Sequence, residues 1–322
     1  MDNIADVDER ILKDPIHLEH PTGDFYMHAT GYLANWLHNE RGFKDAWLHG
    51  KAVALLGYLE APKEERNPEA AEGAMLDLHL FGTVGSMLFR LGGKPSPQMR
   101  KEIDRFANNQ NELVSNFFLF YLADRLAGMG HQVDFVPEAG RQGTKTPDLQ
   151  AEKNGHRVFL EANAKQPTIE VDTPERLWRL IESLVGEKKQ KFCEAAFQPG
   201  MIVADISPAR YQLNESGGPP FLELRKDLVE DIPGGGFYYH LYNDPDWKQR
   251  AGNDGNVFSY LVEQFLAIDR TRYGVQQCLV TVTRRVLRNA GSLLFPKYHL
   301  LLVDRSAKDQ AVLDLGRHVF LV

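Results

Sequence analysis

The stretch that decides the fold is TPDLQAEKNGHRVFLEANAK, residues 146–165. Its Asn154-Gly155 pair lies between alternating residues and predicts two strands joined by a two-residue turn, because a type I′ turn needs positive φ at both central positions. Counting outward from this turn places Asp148 opposite Glu161. Directly opposed side chains lie about 4.5–5.5 Å apart at Cβ, so two carboxylates are predicted to face each other across the hairpin.

The second strand of the hairpin has one apolar face and one mostly polar face, since side chains alternate with a period of two. The apolar set is Val158, Leu160, Ala162 and Ala164, and the other set is Arg157, Phe159, Glu161, Asn163 and Lys165. We expect the apolar face to pack on a core and the polar face to gather a small patch, made of Asp148, Glu161, Asn163 and Lys165. Two facing carboxylates repel, and a divalent cation between them would turn that repulsion into binding.

The composition is typical of a soluble globular protein. Of 322 residues, 43% are hydrophobic and 25% are charged. The formal net charge is −7, whereas proteins that bind nucleic acid through their overall field are strongly basic. Contact with phosphate would therefore need a local basic patch or a metal ion.

Three features of the sequence predict a cytoplasmic location. Cys193 and Cys278 lie far apart, which favours free thiols in a reducing compartment. The first residues, MDNIAD, are acidic and lack the apolar segment of a secretory signal. No run of sequence reaches the roughly 18–20 apolar residues that a membrane span needs, so no membrane partner is expected.

The order of the predicted elements indicates two regions. Residues 1–107 are predicted to form a mostly helical N-terminal region, and residues 108–322 an α/β (α+β) domain with its core at 108–206. In that core, a helix at Asn108–Met129 precedes a strand and the hairpin, and a helix from Asp172 to about Phe197 leads to a strand at 201–206. This order predicts a mixed central sheet flanked by helices. Beyond it we predict a short helix at 219–233, an irregular segment at 237–256 and strands at 277–286 and 298–304.

At residues 108–206 the sequence resembles the PD-(D/E)XK phosphodiesterase superfamily, which includes many restriction-type and DNA repair nucleases. The family pattern has Pro-Asp on one strand, then a second acid on the next strand and a lysine two residues after it. Pro147-Asp148 matches the first element, Glu161 matches the second acid, and the preceding helix carries Glu112. The resemblance implies a restriction-endonuclease-like core and a nuclease that acts on DNA in preference to RNA. Enzymes of this type often cut as dimers, so the resemblance also implies that this chain could form a homodimer.

The sequence departs from that pattern at the lysine. Asn163 occupies the lysine position, and Lys165 follows two residues later on the same face of the strand. A long lysine side chain could reach back to the site from there, roughly 6.6–7 Å along the strand. Equally, Asn163 could mark a member that has lost catalysis, because an amide carries no charge and cannot act as a base.

The resemblance implies specific roles for residues near the hairpin. Asp148, Glu161 and the Ala162 carbonyl would hold Mg²⁺ or Mn²⁺, with Glu112 or Glu138 completing the shell. Lys165, or less well Asn163, would orient the attacking water and contact the phosphate. Flanking phosphates would meet a further set of basic residues, which consists of Arg141, Lys145, Lys188 and Lys189 within the run Lys188–Lys191.

Simpler interpretations stay open. Asp148 could merely enter its strand after Pro147, with Glu161 paired to Lys165 or Arg157, and the lysine run could be a solvated helix end. The whole fold could then be an inactive binding or scaffold module in a defence or repair assembly. The N-terminal region is also rich in histidine (His17, His20, His28, His38 and His49). His17 and His20 could share one helical face and bind a metal, but Pro15 and Pro21 bracket them, so we favour a structural role for that pair.

Overall fold

The computed structural model divides into two compact units. One consists of Met1–Phe135 with Val286–Leu294, and the other of Val136–Arg285 with Phe295–Val322. The described residues are 3–14, 22–40, 42–137, 145–164, 174–192, 194–205, 228–232, 235–241, 265, 267, 275–288 and 291–304.

The first unit is built from helices. They are α1 (Glu9–Lys13), α2 (Gly23–Asn39), α3 (Trp47–Glu60), α4 (Pro68–Arg90), α5 (Pro97–Ala107) and α6 (Gln110–Gly128), followed by strand β1 (Gln132–Phe135). Thr22 and Ser96 cap α2 and α5, because their side chains accept hydrogen bonds from backbone N–H groups in the first turn. The described part of the chain contains no helix with the length and apolar character needed to cross a membrane.

Two glycines let α2 and α4 pack with their backbones nearly in contact. A Cβ atom added at Gly85 would lie 1.9 Å from the Ala29 carbonyl oxygen, and one at Gly82 would lie 2.7 Å from the Tyr26 ring. Glycine lowers helix propensity, yet here it permits the closest helix pair of this unit. The core of the unit therefore depends on residues that weaken the helix carrying them.

We expect Gly85→Ala to destabilise the protein by roughly 3 kcal/mol, because the added methyl group must push α2 away from α4. Gly73→Ala, in the same helix, is the matched control. A Cβ at Gly73 meets nothing within 4 Å, and so this variant should be about 0.5–1 kcal/mol more stable than the wild type. Urea denaturation of the three proteins measures both effects. Equal stability of the two variants would contradict this account of the helix pair.

In the part that the structure describes, the second unit contains a mixed sheet and one long helix. Its elements are β2 (Leu149–Lys153), β3 (His156–Ala164), α7 (Pro174–Lys188), 3₁₀ turns at Lys189–Phe192 and Ala195–Phe197, β4 (Gly200–Asp205), β5 (Leu228–Ile232), β6 (Gly235–Leu241), and most of β7 (Val275–Arg288) and β8 (Gly291–Asp304). The parts of β7 and β8 within Val286–Leu294 belong to the first unit. The strand order is β2-β3-β4-β7-β8-β6-β5. Strand β3 runs antiparallel to β2 and parallel to β4, which is parallel to β7. The predicted mixed sheet with helices is confirmed.

The hairpin has the predicted turn and register. Asn154 and Gly155 have φ angles of 55° and 79°, as a type I′ turn requires. Lys153 pairs with His156, and the ladder continues outward to the Leu149–Leu160 pair. The ladder ends there. Asp148, the next residue, donates its backbone N–H to the Leu160 carbonyl and accepts the Ala162 N–H on its carboxylate, which places it beside Glu161.

The face of β3 that carries Glu161 is largely buried. Phe159 and Glu161, on that face, are as buried as Val158 and Leu160 on the other. The face that carries Phe159 and Glu161 is covered by the turns that follow α7. The centroids of the Phe159 and Phe197 rings are 5.5 Å apart. A strand with a parallel neighbour is commonly buried on both faces.

Other predicted boundaries differ from the structure. The helix predicted to reach Phe197 ends at Lys188 and continues as two 3₁₀ turns. Residues 228–232, predicted as helical, and 235–241, predicted as largely irregular, instead form the antiparallel pair β5–β6. Pairing with a neighbouring strand outweighs local propensity at such segments. Helix α6 and strand β1 belong to the first unit, whereas the sequence grouped them with the second.

Candidate functional site

Asp148 closes the hairpin at its outer end with both backbone and side chain. Its backbone N–H donates to the Leu160 carbonyl at 3.0 Å, and its carbonyl accepts from the Val136 N–H. Its carboxylate Oδ2 accepts from the Ala162 N–H at 2.9 Å. The position of this carboxylate is therefore set by the two strands, and its other oxygen, Oδ1, is left to meet a further group.

Glu161 is a fully buried carboxylate held by two lysines. Its side chain is 0% exposed, with Oε1 2.8 Å from Lys188 Nζ and Oε2 2.6 Å from Lys191 Nζ. The same Lys191 ammonium lies 3.2 Å from Asp148 Oδ1. One lysine thus bridges the two carboxylates that the hairpin register brings together. We call these four residues, Asp148, Glu161, Lys188 and Lys191, the carboxylate–lysine cluster.

The two lysines are positioned by a close contact at the start of β4. Lys188 ends α7 and Lys191 lies in the following 3₁₀ turn, which ends at the fully buried Phe192. The Phe192 ring lies against Gly200, where a Cβ atom would be 2.5 Å from the ring. Gln198 Nε2 donates to the Phe192 carbonyl at 2.9 Å and fixes the same turn. Glycine at position 200 therefore allows the lysine-bearing turn to approach the sheet.

The charge state of Glu161 reflects its burial. Removal from water raises the pKa of this carboxyl group, and the nearby charge of Asp148 raises it further. The two lysines oppose this but do not cancel it, and the pKa is about 7. Burial alone would lower the pKa of Lys191, but the charges of Asp148 and Glu161 outweigh that effect and raise it. Lys191 therefore remains a cation beside a carboxyl group that can bind a proton near neutral pH.

The structure brings only part of the predicted patch together. Asp148 and Glu161 meet, and Asn163 lies two positions further along β3 with a half-buried side chain. Ala162, predicted to offer its carbonyl to a metal, donates its N–H to Asp148. Lys188, predicted to contact a flanking phosphate, pairs with Glu161.

The remaining predicted residues fall into two groups. Lys145 is exposed and Lys189 is half-buried. Glu138, Arg141 and Lys165, and the side chain of Glu112 on α6, lie outside the described residues. The structure therefore bears on the hairpin carboxylates and on the lysine run, but not on those four side chains.

Lys191 is the site residue that the sequence did not identify as a partner of the acids. It is 43 residues along the chain from Asp148, so no local pattern links the two. The spacing of the lysines could have indicated this role. Lys188 and Lys191 are three residues apart and therefore fall on one side of a helical turn. Lys189 falls on another side. Two lysines at that spacing, on a segment folding back onto an acidic strand, indicate a shared target.

The donor set suits a divalent cation of the Mg²⁺ or Mn²⁺ type. Two carboxylates converge on one point, which is the arrangement that hard cations prefer, and the Lys191 ammonium lies at that point as the cation. Within the described ranges, no group of three or more His, Cys, Asp or Glu side chains is placed to hold a metal ion. A metal ion bound at this point would have Asp148 and Glu161 as its described protein ligands, and it would have to displace Lys191.

Comparisons with protein-family models, with curated proteins and with solved structures found no match for this chain.

The raised pKa of Glu161 predicts a specific pH dependence of stability. A carboxyl group that binds its proton more tightly in the folded state contributes stability below its unfolded pKa, near 4.5, and loses that contribution as the pH rises through about 7. Between pH 5 and pH 8, the free energy of unfolding of the wild type should therefore fall by about 1–3 kcal/mol relative to Glu161→Gln.

Urea denaturation at several pH values measures this difference. Glu152→Gln is the matched control, because that carboxylate lies on the same hairpin beside Arg157 and its replacement leaves Glu161 in place. The control should keep the wild-type dependence on pH. Parallel pH curves for the wild type and Glu161→Gln would contradict the assigned protonation.

We expect Gly200→Ala to destabilise the protein by about 1–3 kcal/mol, because the new methyl group would overlap the Phe192 ring. Gly186→Ala, on α7, is the control, since a Cβ there meets nothing within 4 Å. It should be neutral or stabilising, as alanine favours a helix. Thermal unfolding compares the two, and a wild-type melting temperature for Gly200→Ala would show that Phe192 does not need this contact.

Proposed function

We propose that the carboxylate–lysine cluster is the centre of a metal-dependent phosphodiester hydrolase acting on nucleic acid, DNA in preference to RNA, on a restriction-endonuclease-like core. The observation that carries the proposal is the Lys191 ammonium in contact with both Asp148 and Glu161. Two acids and a lysine converging on one point are the groups that this chemistry uses. The cofactor would be Mg²⁺ or Mn²⁺.

Lys191 supports this function because it supplies what the hairpin lacks. The second strand carries Asn163 where the resembling family has lysine, and an amide cannot supply a positive charge. Lys191 comes from a different element and reaches the same carboxylates at 3.2 and 2.6 Å. On this proposal Lys191, in the turn after α7, would take the role that the strand lysine has in the family pattern.

The chain's own residues would divide the work as follows. Asp148 Oδ1 and Glu161 Oε2 would hold the metal ion, since both oxygens already converge on a cation. Lys191 and Lys188, released from the carboxylates, would donate hydrogen bonds to non-bridging phosphate oxygens. Asn163 could donate a hydrogen bond to the attacking water. The bound ion would supply charge neutralisation at the phosphate and lower the pKa of water.

The nucleic acid would meet the protein through local rather than overall charge. The net charge is −7, so the phosphates must find a basic surface near the cluster. The exposed Lys145 and the half-buried Lys189 are described residues that flank it in sequence. Such contacts are sensitive to salt, because each one releases counterions from the nucleic acid.

A second function is favoured by the burial of Glu161. Its side chain is 0% exposed, and both of its oxygens are already within 3 Å of lysine nitrogens. Two ionised acids and two lysines have no net charge, and their ion pairs can hold the turn after α7 against the hairpin without any metal. On this alternative the chain is a nuclease-like binding or scaffold module of a defence or repair assembly.

Cleavage assays separate the two functions. Plasmid, single-stranded DNA and RNA are incubated with Mg²⁺ or Mn²⁺ and the wild type, Asp148→Asn, Glu161→Gln or Lys191→Ala. We expect each variant to lose at least about 100-fold in rate, because each removes a group that touches the metal ion or the phosphate. Glu152→Gln, on the same hairpin but paired with Arg157, should cleave like the wild type.

Two outcomes would reject the hydrolase. One is equal cleavage by the wild type and all three variants, which would indicate a contaminating nuclease. The other is the absence of cleavage by the wild type together with Mn²⁺ binding that is unchanged by Asp148→Asn. The second outcome would favour the scaffold function.

A further inference from the structure

Two histidines lie side by side where α2 ends and α3 begins, in the first unit. His38 is in the last turn of α2, and His49 is the third residue of α3. Their ring centroids are 5.6 Å apart and the ring planes are inclined by 32°. The short connection between the two helices thus brings two imidazoles together at its base.

Each of these rings has a buried nitrogen that no neighbour satisfies. Within the described part of the chain, His38 Nδ1 and His49 Nε2 are buried and have no hydrogen-bond partner. Burying a polar atom without a partner is costly, and most buried side-chain nitrogens in proteins are paired. The two neighbouring rings each carry one such atom, and a shared ligand would satisfy both.

The surroundings of His49 favour the tautomer in which Nε2 carries a lone pair that could bind a metal ion. The backbone of Lys44 hydrogen-bonds the His49 ring. Since Nε2 has no partner, this bond uses Nδ1, whose N–H donates to the carbonyl and leaves the lone pair on Nε2. Burial lowers the pKa of His49, and His38 lowers it further, so the neutral form is favoured. In metal-binding histidines, the ring nitrogen that does not bind the metal commonly donates its N–H to a backbone carbonyl in this way.

We propose that His38 Nδ1 and His49 Nε2 bind a divalent transition-metal ion of the Zn²⁺ type. Imidazole nitrogen suits such ions, whereas Mg²⁺ and Mn²⁺ prefer oxygen. With Zn–N bonds of about 2.0–2.1 Å and a tetrahedral angle, the centres of two ligating rings lie roughly 5 Å apart. The ring centroids of His38 and His49 are 5.6 Å apart in the structure, which is close to that value. Water or an external ligand would complete the coordination.

The site differs from the carboxylate–lysine cluster in both its donors and its position. It has two nitrogen ligands and belongs to the first unit, while the cluster has carboxylate ligands and belongs to the second. Zinc held here would join the end of α2 to the start of α3 across the connection that contains Phe43. The expected consequence is a zinc-dependent rise in the stability of the helical unit.

The test is a Zn²⁺ titration of the full-length, metal-stripped chain by calorimetry, in excess Mg²⁺ to saturate oxygen-ligand sites. The wild type should bind one Zn²⁺ per chain at its tightest site, and its melting temperature should rise with zinc. His38→Gln and His49→Gln should each weaken that site at least tenfold and abolish the thermal shift. His156→Gln, on the exposed hairpin turn, and His17→Gln should bind like the wild type.

Wild-type affinity in both His38→Gln and His49→Gln would overturn the proposal, as would loss of the tight site in His17→Gln. X-ray absorption spectroscopy on the wild type with one equivalent of Zn²⁺ needs no variant to fold. Two imidazole ligands at about 2.0–2.1 Å are expected. A spectrum without imidazole scattering would also overturn it. These outcomes do not depend on cleavage, so the proposed hydrolase and this site can fail separately.

Discussion

The structure of the second unit depends on how a carboxylate, that of Glu161, is kept out of water. A lone ionised carboxylate at 0% exposure would be prohibitively costly, so the chain must supply either a proton or cations. It supplies both. The carboxyl group of Glu161 has a pKa of about 7 and can bind a proton near neutral pH, and the Nζ atoms of Lys188 and Lys191 lie within 3 Å of its oxygens. Such an arrangement is difficult to justify by stability alone, since an apolar residue would pack there without the desolvation cost. Its presence in the core is our reason for proposing a functional site there.

Two independent local devices meet at this carboxylate. The Asn154-Gly155 turn sets the register that brings Asp148 beside Glu161, and the side chain of Asp148 then closes the ladder through the Ala162 N–H. On the other side, the absence of a side chain at Gly200 lets the turn after α7 approach the sheet. The carboxylates and the lysines thus come from segments that fold by different local rules and are joined only by tertiary packing.

The sequence predicted what local rules decide and missed what packing decides. The hairpin turn and register follow from Asn154 and Gly155 alone, and the mixed sheet follows from the order of elements. The covering of the polar face of β3 could not be predicted from local sequence. It depends on the 3₁₀ turns after α7, which are distant from β3 along the chain. Lys191 was missed as a partner of the acids for the same reason. Gly82 and Gly85 are unfavourable in a helix by local propensity, yet both permit the contact of α4 with α2.

The central claim is that the point shared by Asp148, Glu161 and Lys191 is a cation site which a metal ion can take over from an ammonium group. The most direct measurement is a crystal structure grown with Mn²⁺, in which anomalous scattering locates the ion. The account predicts Mn²⁺ in contact with carboxylate oxygens of Asp148 and Glu161, with Lys191 moved away from both. Lys191 still bridging the two carboxylates at saturating Mn²⁺, with the ion elsewhere or absent, would contradict it.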